Sequence, residues 1–149
     1  MFLLPRRALL AIAAVVDIAL HARPLPVAAK HLAARHNLPP RHLETVLQAL
    51  VRDGILKGVR GPRGGYELAR ERRRITAAEI TRAALSEMLD DHPSAGQSRL
   101  VEEVVGPALK QASEAFLEEL EHITVEDLCR RAEERAVFGG LPPTVDFAI

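Results

Sequence analysis

The chain of 149 residues has room for one ordinary domain, or for a small domain with a dimerisation arm. Its residues are 48% hydrophobic with no Trp and one Tyr, and the apolar positions recur in long Ala- and Leu-rich stretches, which predicts a mainly helical protein with an aliphatic core. The single cysteine, Cys129, excludes an internal disulfide and a metal or cluster site built on cysteines alone. This usage fits a reducing cytoplasm.

The formal net charge of zero hides a marked asymmetry along the chain. Residues 1–82 hold 15 Lys and Arg against 6 Asp and Glu, whereas residues 83–149 hold 5 against 14. A basic half joined to an acidic half favours a polyanion-binding face attached to a part with another role. Charge alone leaves a second interpretation open, namely two solvated surfaces of opposite sign.

The first helix is predicted over residues 8–21. Arg6 and Arg7, followed by an apolar run, resemble the start of a signal peptide. However, Asp17 interrupts that run, and the stretch is too short to span a bilayer. We therefore expect a helix that is apolar nearly all round and lies buried at the centre of the fold.

Two further helices and a hairpin follow. The predicted helices and strands cover residues 27–35, 40–53, 55–59 and 66–69. The helix that begins at Pro40 has one apolar face, formed by Leu43, Val46, Leu47, Leu50 and Val51. A tight connection joins the two helices, and a basic, glycine-rich turn over residues 60–65 joins the two strands.

Two capping boxes mark helix starts in the second half of the chain. Thr76 is followed three residues later by Glu79, and Thr124 is followed by Asp127, which is the spacing of reciprocal side-chain caps. We expect the first of these helices to end at residue 85 or 88 and the second to be short.

A long helix is predicted between them, over residues 99–121, with an irregularity at Gly106-Pro107 because Pro107 lacks an amide donor. Its apolar stripe is too wide for a free helix, so we expect it to pack against a second subunit. The alternative is that it folds back on its own domain. A linker is expected at residues 90–98 and an irregular or disordered tail at residues 139–149.

Two helices joined by a tight turn are typical of a helix-turn-helix, whose second helix lies in the major groove of DNA. Polar residues near the start of this helix lie off its apolar face and are candidates for DNA contacts: Arg41, His42, Glu44, Thr45 and, one turn on, Gln48. Arginine can donate two hydrogen bonds to guanine or bind a phosphate, and glutamate can accept one from a cytosine amino group.

The hairpin completes the plan of a winged helix. Arg60 and Arg63 lie at its tip. We expect them to enter the minor groove, because a narrow minor groove concentrates the negative potential that attracts arginine. The alternative is a surface hairpin that carries two solvated arginines, and a glycine-rich turn alone is weak evidence for a wing. Its position directly after a helix-turn-helix favours the wing.

At these residues the sequence resembles the IscR/NsrR/CymR type of bacterial transcription regulators, the Rrf2 type. The resemblance covers about residues 3–135. Its most specific part is residues 59–68, Val-Arg-Gly-Pro-Arg-Gly-Gly-Tyr-Glu-Leu. Four other stretches contribute, residues 17–21, 43–47, 75–76 and 123–125.

The resemblance implies a winged helix domain and a long helix that pairs two subunits. It also implies palindrome-like operators and, mostly, repression. By the same resemblance Arg41, His42 and Glu44 stand where the family reads the major groove, and Arg60 stands where it inserts a wing arginine into the minor groove.

One feature of that family is missing. Many members hold an iron–sulfur cluster with three cysteines in the loop before the long helix, since such clusters need thiolate ligands. Residues 88–106 contain no cysteine. They offer His92 and several acidic residues, which leaves a bound metal ion conceivable, although we expect a solvated acidic loop. Cys129 is expected to be a small packed residue and not a redox sensor.

The sequence therefore predicts a mainly α protein with a small β-hairpin. Its predicted parts are a winged helix-turn-helix domain, a loop at the family's cluster position, a dimerisation helix with a terminal helix, and an irregular tail: residues 1–88, 89–98, 99–135 and 136–149. We expect a dimeric, sequence-specific transcription regulator of the bacterial cytoplasm, acting as a repressor.

The expected partners are double-stranded DNA, a second subunit and an unidentified small-molecule or protein effector. No membrane association, enzymatic activity, cofactor or metal is expected. The alternative function is a protein-interaction module that uses the winged helix as a docking surface and is controlled by a partner protein.

Overall fold

The computed structural model describes residues 3–90 and 98–139. Within them, six α-helices and one antiparallel pair of strands follow in the order α1 Arg6–His21, α2 Ala29–Arg35, α3 Pro40–Arg52, β1 Leu56–Val59, β2 Gly65–Leu68, α4 Ala77–Asp90, α5 Gly106–Glu121 and α6 Val125–Glu134. A 3₁₀ turn precedes α4, and a π-helical segment precedes α5. This confirms the mainly helical fold class with a small hairpin. The helices described are all too short or too polar to cross a membrane.

Helix α1 lies at the centre, as predicted. Its inward positions combine small and branched residues, and Ala11, Ala14, Val15 and Ile18 are fully buried. Five elements contact it, namely α2, α3, α4, α6 and β2. Alanines allow these neighbours to approach the α1 backbone closely, which lets an aliphatic core of this size reach native packing density.

The buried face of α3 is nearly the predicted one. Leu43, Leu47 and Leu50 are fully buried and pack into the same core as α1. The prediction for Val51 is wrong, because its side chain is 37% exposed. Helix α3 ends at Arg52, close to Val51, and Gly54 follows with a φ of +74°, a left-handed conformation that glycine adopts readily.

The hairpin is anchored to the connection between α1 and α2. Leu56 faces Leu68 and Val59 faces Gly65 across the two strands. Val27 pairs with Tyr66 through both backbone hydrogen bonds, at 2.9 and 2.8 Å, and so adds a third, one-residue strand. A side chain at Gly65 would lie 2.3 Å from the Val27 carbonyl oxygen, which is why only glycine fits there.

Both predicted capping boxes form, and they lie side by side. The Thr76 and Thr124 amides donate to Glu79 and Asp127, and each threonine hydroxyl accepts in return, at 3.0–3.2 Å. The two threonines also pair as an isolated antiparallel bridge. The starts of α4 and α6 are therefore held together. Through this contact α6 returns to the N-terminal half, where its Cys129 joins the core around α1.

The predicted long helix is irregular, but the irregularity precedes Gly106-Pro107. Val101–Val105 is π-helical, and the Gly106 amide bonds to the Val101 carbonyl five residues back. Pro107 then falls in the first turn of α5, where its missing donor costs nothing. At the other end Leu120 packs on α4, whereas Leu109 near the start is 60% exposed.

Part of the predicted organisation falls outside the described residues. The loop at the family's cluster position, with His92, lies largely within residues 91–97, and the tail lies largely within residues 140–149. The expected division of the chain near residue 89 stays a prediction.

Candidate nucleic-acid interface

The five candidate residues of α3 share one exposed surface. Arg41, His42, Glu44, Thr45 and Gln48 are all exposed, while the leucines between them are buried. Burial of the apolar face fixes the rotation of α3, and the fixed rotation turns these polar side chains outward. A helix held in this way can present the side chains near its N-terminus to the edges of bases.

Thr45 differs from the other four because its hydroxyl is already engaged. It accepts a hydrogen bond from Arg7 Nη1 at 3.3 Å and donates to the His42 carbonyl at 3.4 Å. Arg7 in turn donates from Nε to the Ala84 carbonyl at 2.7 Å. Arg7 thus joins α1, α3 and α4 on the exposed side of α3. Sequence reasoning missed this role, because residue spacing indicates Arg7 only as part of a charged N-terminus.

The wing presents its two arginines to solvent. Arg60 and Arg63 lie on either side of Gly61-Pro62, and both are exposed. At the base of the hairpin Lys57 Nζ lies 3.1 Å from Glu67 Oε1, a cross-strand ion pair. The Val27–Tyr66 bridge described above ties the hairpin to the N-terminal helices. The tip is therefore the free end of an anchored hairpin.

A buried carboxylate connects the elements that precede α3. Asp17 of α1 is fully buried, and its two oxygens accept from Arg35 Nε at 3.1 and 2.9 Å. His21 Nδ1 lies 3.0 Å from one oxygen and His36 Nε2 lies 2.9 Å from the other. Arg35 ends α2 and His36 belongs to the turn before α3. This network therefore fixes the helix-turn-helix angle from inside α1.

The charge of Asp17 is retained despite its burial. Burial alone would raise the pKa of Asp17, but the hydrogen bond and charge of Arg35, helped by His21 and His36, hold it below the ordinary value of 3.8. The sequence contained the signal for this site, a lone acid inside an apolar run. It did not show the partners, which are contributed by α2 and the following turn.

Cys129 is placed in the core and away from the surface. Its side chain is fully buried and contacts Arg72. Burial raises the pKa of the thiol, although Arg72 opposes this. The described residues contain no group of three or more His, Cys, Asp or Glu side chains placed to hold a metal. One buried, protonated thiol does not fit a cluster that needs several thiolates.

An exposed polar face on the second helix of a helix-turn-helix, followed by an arginine-tipped hairpin, defines a winged helix DNA-binding protein. Residues 4–131 match the Rrf2 family model, described as iron-dependent transcriptional regulator, and the chain belongs to this family. Its relatives are transcriptional regulators and not enzymes.

Two sequence relatives show how far the similarity extends. The Synechocystis sp. protein slr0846, named as a candidate HTH-type transcriptional regulator, is 37% identical over 117 residues, which cover 77% of this chain and 79% of that protein. The HTH-type transcriptional regulator IscR of Xenorhabdus nematophila is 36% identical over 80 residues, 54% of this chain and 48% of its own.

Solved structures agree on the fold. T. potens IscR superimposes with a TM-score of 0.67 at 30% identity, covering 89% of both chains. CymR, the global cysteine regulator of B. subtilis, gives 0.65 at 24% identity and covers 88% of this chain and 98% of its own. The second likeness concerns the fold alone.

Proposed function

We propose that the protein is a dimeric, sequence-specific repressor that contacts the major groove through α3 and the minor groove through the wing. The observation that carries the proposal is the exposed row Arg41, His42, Glu44 and Gln48 on a helix whose leucines are fully buried in the core. Thr45 contributes to this surface through its bond to Arg7 and by contact with the DNA backbone.

Dimerisation is supported by the exposed apolar side chains around the start of α5. Leu100, Val104, Val105 and Leu109 are 62%, 56%, 39% and 60% exposed, and the pairs 100/104 and 105/109 are each four residues apart, the spacing of neighbours on one helical face. Covering a leucine of this kind contributes about 1.5–3 kcal/mol. A second copy related by a twofold axis would cover the stripe on both chains and place two recognition helices on successive grooves.

We further propose that DNA binding does not depend on an iron–sulfur cluster. The family description refers to iron, but residues 88–106 hold no cysteine, and Cys129 is packed against Arg72 in the core. The expected preparation is colourless and binds DNA after treatment with a chelator. Loss of binding on chelation, restored by iron, would contradict this part of the proposal.

The function is tested by selecting duplexes from a random pool with the purified protein and measuring their affinity by mobility shift. We expect a palindrome-like site and an affinity that falls by about a thousandfold between about 50 and 200 mM salt, since bound Lys and Arg release counterions. A reporter placed behind that site should be expressed more strongly when the gene for the protein is removed. If no duplex is enriched and a protein co-purifies instead, the winged helix acts as a docking surface.

A further inference from the structure

A strongly basic groove lies between the wing and the segment that joins α1 to α2. It has a volume of about 470 Å³, and its walls are residues 21–35 on one side and residues 62–64 on the other. Its lining includes no Asp or Glu. Six side chains that carry or can carry positive charge line it, His21, Arg23, Lys30, His31, Arg35 and Arg63.

Three of these cations have no acidic partner among the described residues. Arg35 and His21 both contact the buried Asp17 carboxylate, whose negative charge compensates this side of the groove. Arg23, Lys30 and Arg63 are exposed, and no ion pair to them is formed within the part of the chain that the structure covers. Three uncompensated charges therefore converge on one concavity, and their field is not cancelled locally.

A larger neighbouring cavity shows that unpaired cations are not a general property of the basic half of the chain. That cavity, of about 650 Å³, lies between the end of α1, the hairpin and α6. Arg23 lines both cavities. The other cations of the larger cavity are paired, Lys57 with Glu67, Arg70 with Glu79, Arg72 with Glu126 and Arg73 with Glu71, at 2.6–3.1 Å. The smaller groove is thus singled out by its unmatched charge.

The groove adjoins the wing, and backbone hydrogen bonds fix its position relative to the wing. The Val27–Tyr66 bridge fixes the connection between Arg23 and Lys30 against β2, and Arg63 belongs both to the wing tip and to the groove wall. The free cations reach it on long, exposed side chains. Such side chains suit the edge of an extended polyanion better than the enclosure of a small free ion.

We infer that Arg23 and Lys30 bind a phosphate of the DNA backbone next to the minor groove that the wing enters. This inference rests on the proposed DNA binding and adds a backbone contact to it. A phosphate contact positions the protein without reading sequence, so Arg23 and Lys30 are positioning residues. The basic connection before α2 would then fix how deeply the wing is inserted.

The test compares the double variant Arg23→Gln and Lys30→Gln with the control Lys110→Gln and Arg131→Gln. The control removes the same charges from exposed positions on α5 and α6. Affinity is measured by fluorescence anisotropy for the selected duplex and for an unrelated duplex of equal length. We expect the groove variant to bind both duplexes about tenfold more weakly, and the slope of log K against log salt to fall by about 0.9 for each phosphate that is no longer neutralised.

Four other results would overturn the proposed backbone contact, and they can be told apart. An unchanged affinity and slope in the groove variant, with Arg60→Ala still impaired, would overturn the backbone contact and leave the proposed function intact. A loss confined to the selected duplex would show base readout and overturn the positioning role. Calorimetric binding of inorganic phosphate that is abolished in the groove variant, with DNA affinity unchanged, would show a free-anion site and overturn the backbone contact. Absence of DNA binding by the wild-type protein would overturn both proposals.

Discussion

Helices α3 and α5 both carry apolar residues at helical spacing, but the two helices differ in how far these residues are buried. In α3 the leucines are fully buried in the chain's own core, and most of the exposed residues are polar. Around the start of α5 the leucines and valines are themselves exposed. A helix whose apolar face is buried leaves polar side chains available for a ligand. A helix whose apolar face is exposed has apolar surface that another protein can cover. The proposed DNA contacts and the proposed dimer contacts therefore lie on different helices of the chain.

The largest effect is expected from a substitution among the exposed apolar residues around the start of α5. Leu109→Glu should weaken self-association by about 4 kcal/mol, roughly a thousandfold, because a buried leucine contributes about 2 kcal/mol and a twofold interface contains it twice. Sedimentation equilibrium measures the change. Gln111→Glu adds the same charge about 200° around the helix and should leave the dimer intact. Equal dissociation by the two variants would show that the stripe is not the interface.

The next prediction tests the buried Asp17 network that precedes α3. Asp17→Asn should lower the free energy of unfolding by about 3 kcal/mol, at the low end for a broken buried pair because the Arg35 side chain is 31% exposed. Urea unfolding measures it. Asp53→Asn removes an exposed acid 3.9 Å from Arg52 and should cost much less. A similar cost for both would mean that the buried network contributes little.

A smaller effect separates the wing from the rest of the recognition surface. Arg60→Ala should weaken DNA binding about tenfold without altering thermal stability, since its side chain is exposed and a good arginine contact is worth about 1–3 kcal/mol. Arg130→Ala, an exposed arginine on α6, is the control. Binding that survives Arg60→Ala unchanged would remove the wing from the interface.

The last prediction concerns the pH dependence of the Asp17 contribution. Because the pKa of folded Asp17 lies below 3.8, its ionised form stabilises the native state fully above that pH. The contribution is lost as the pH falls from about 4 through the lower folded value. The difference in unfolding free energy between wild type and Asp17→Asn, measured between about pH 7 and pH 3, should therefore shrink toward the acid end. A constant difference across this range would exclude the charge of Asp17 as the source of stability.

Much of this arrangement could be predicted from local signals. The capping boxes at Thr76 and Thr124, the start of α3 at Pro40 and the buried α1 follow from residue spacing and chain chemistry. Local spacing could not show the contacts between distant residues. Arg7 with Thr45, Asp17 with Arg35, and the approach of Lys30 to Arg63 join residues 18 to 38 positions apart. The prediction for Val51 fails because periodicity does not reveal where the covering elements stop.

The return of α6 to the core around α1 has a consequence for how the protein is made. Val125 and Cys129 are fully buried beside residues that lie more than a hundred positions earlier in the chain. Contacts of such long sequence separation form late, and during synthesis they must wait for α6 to leave the ribosome. The N-terminal half can therefore collapse early on the ribosome, but its core closes only after α6 has been translated and has emerged.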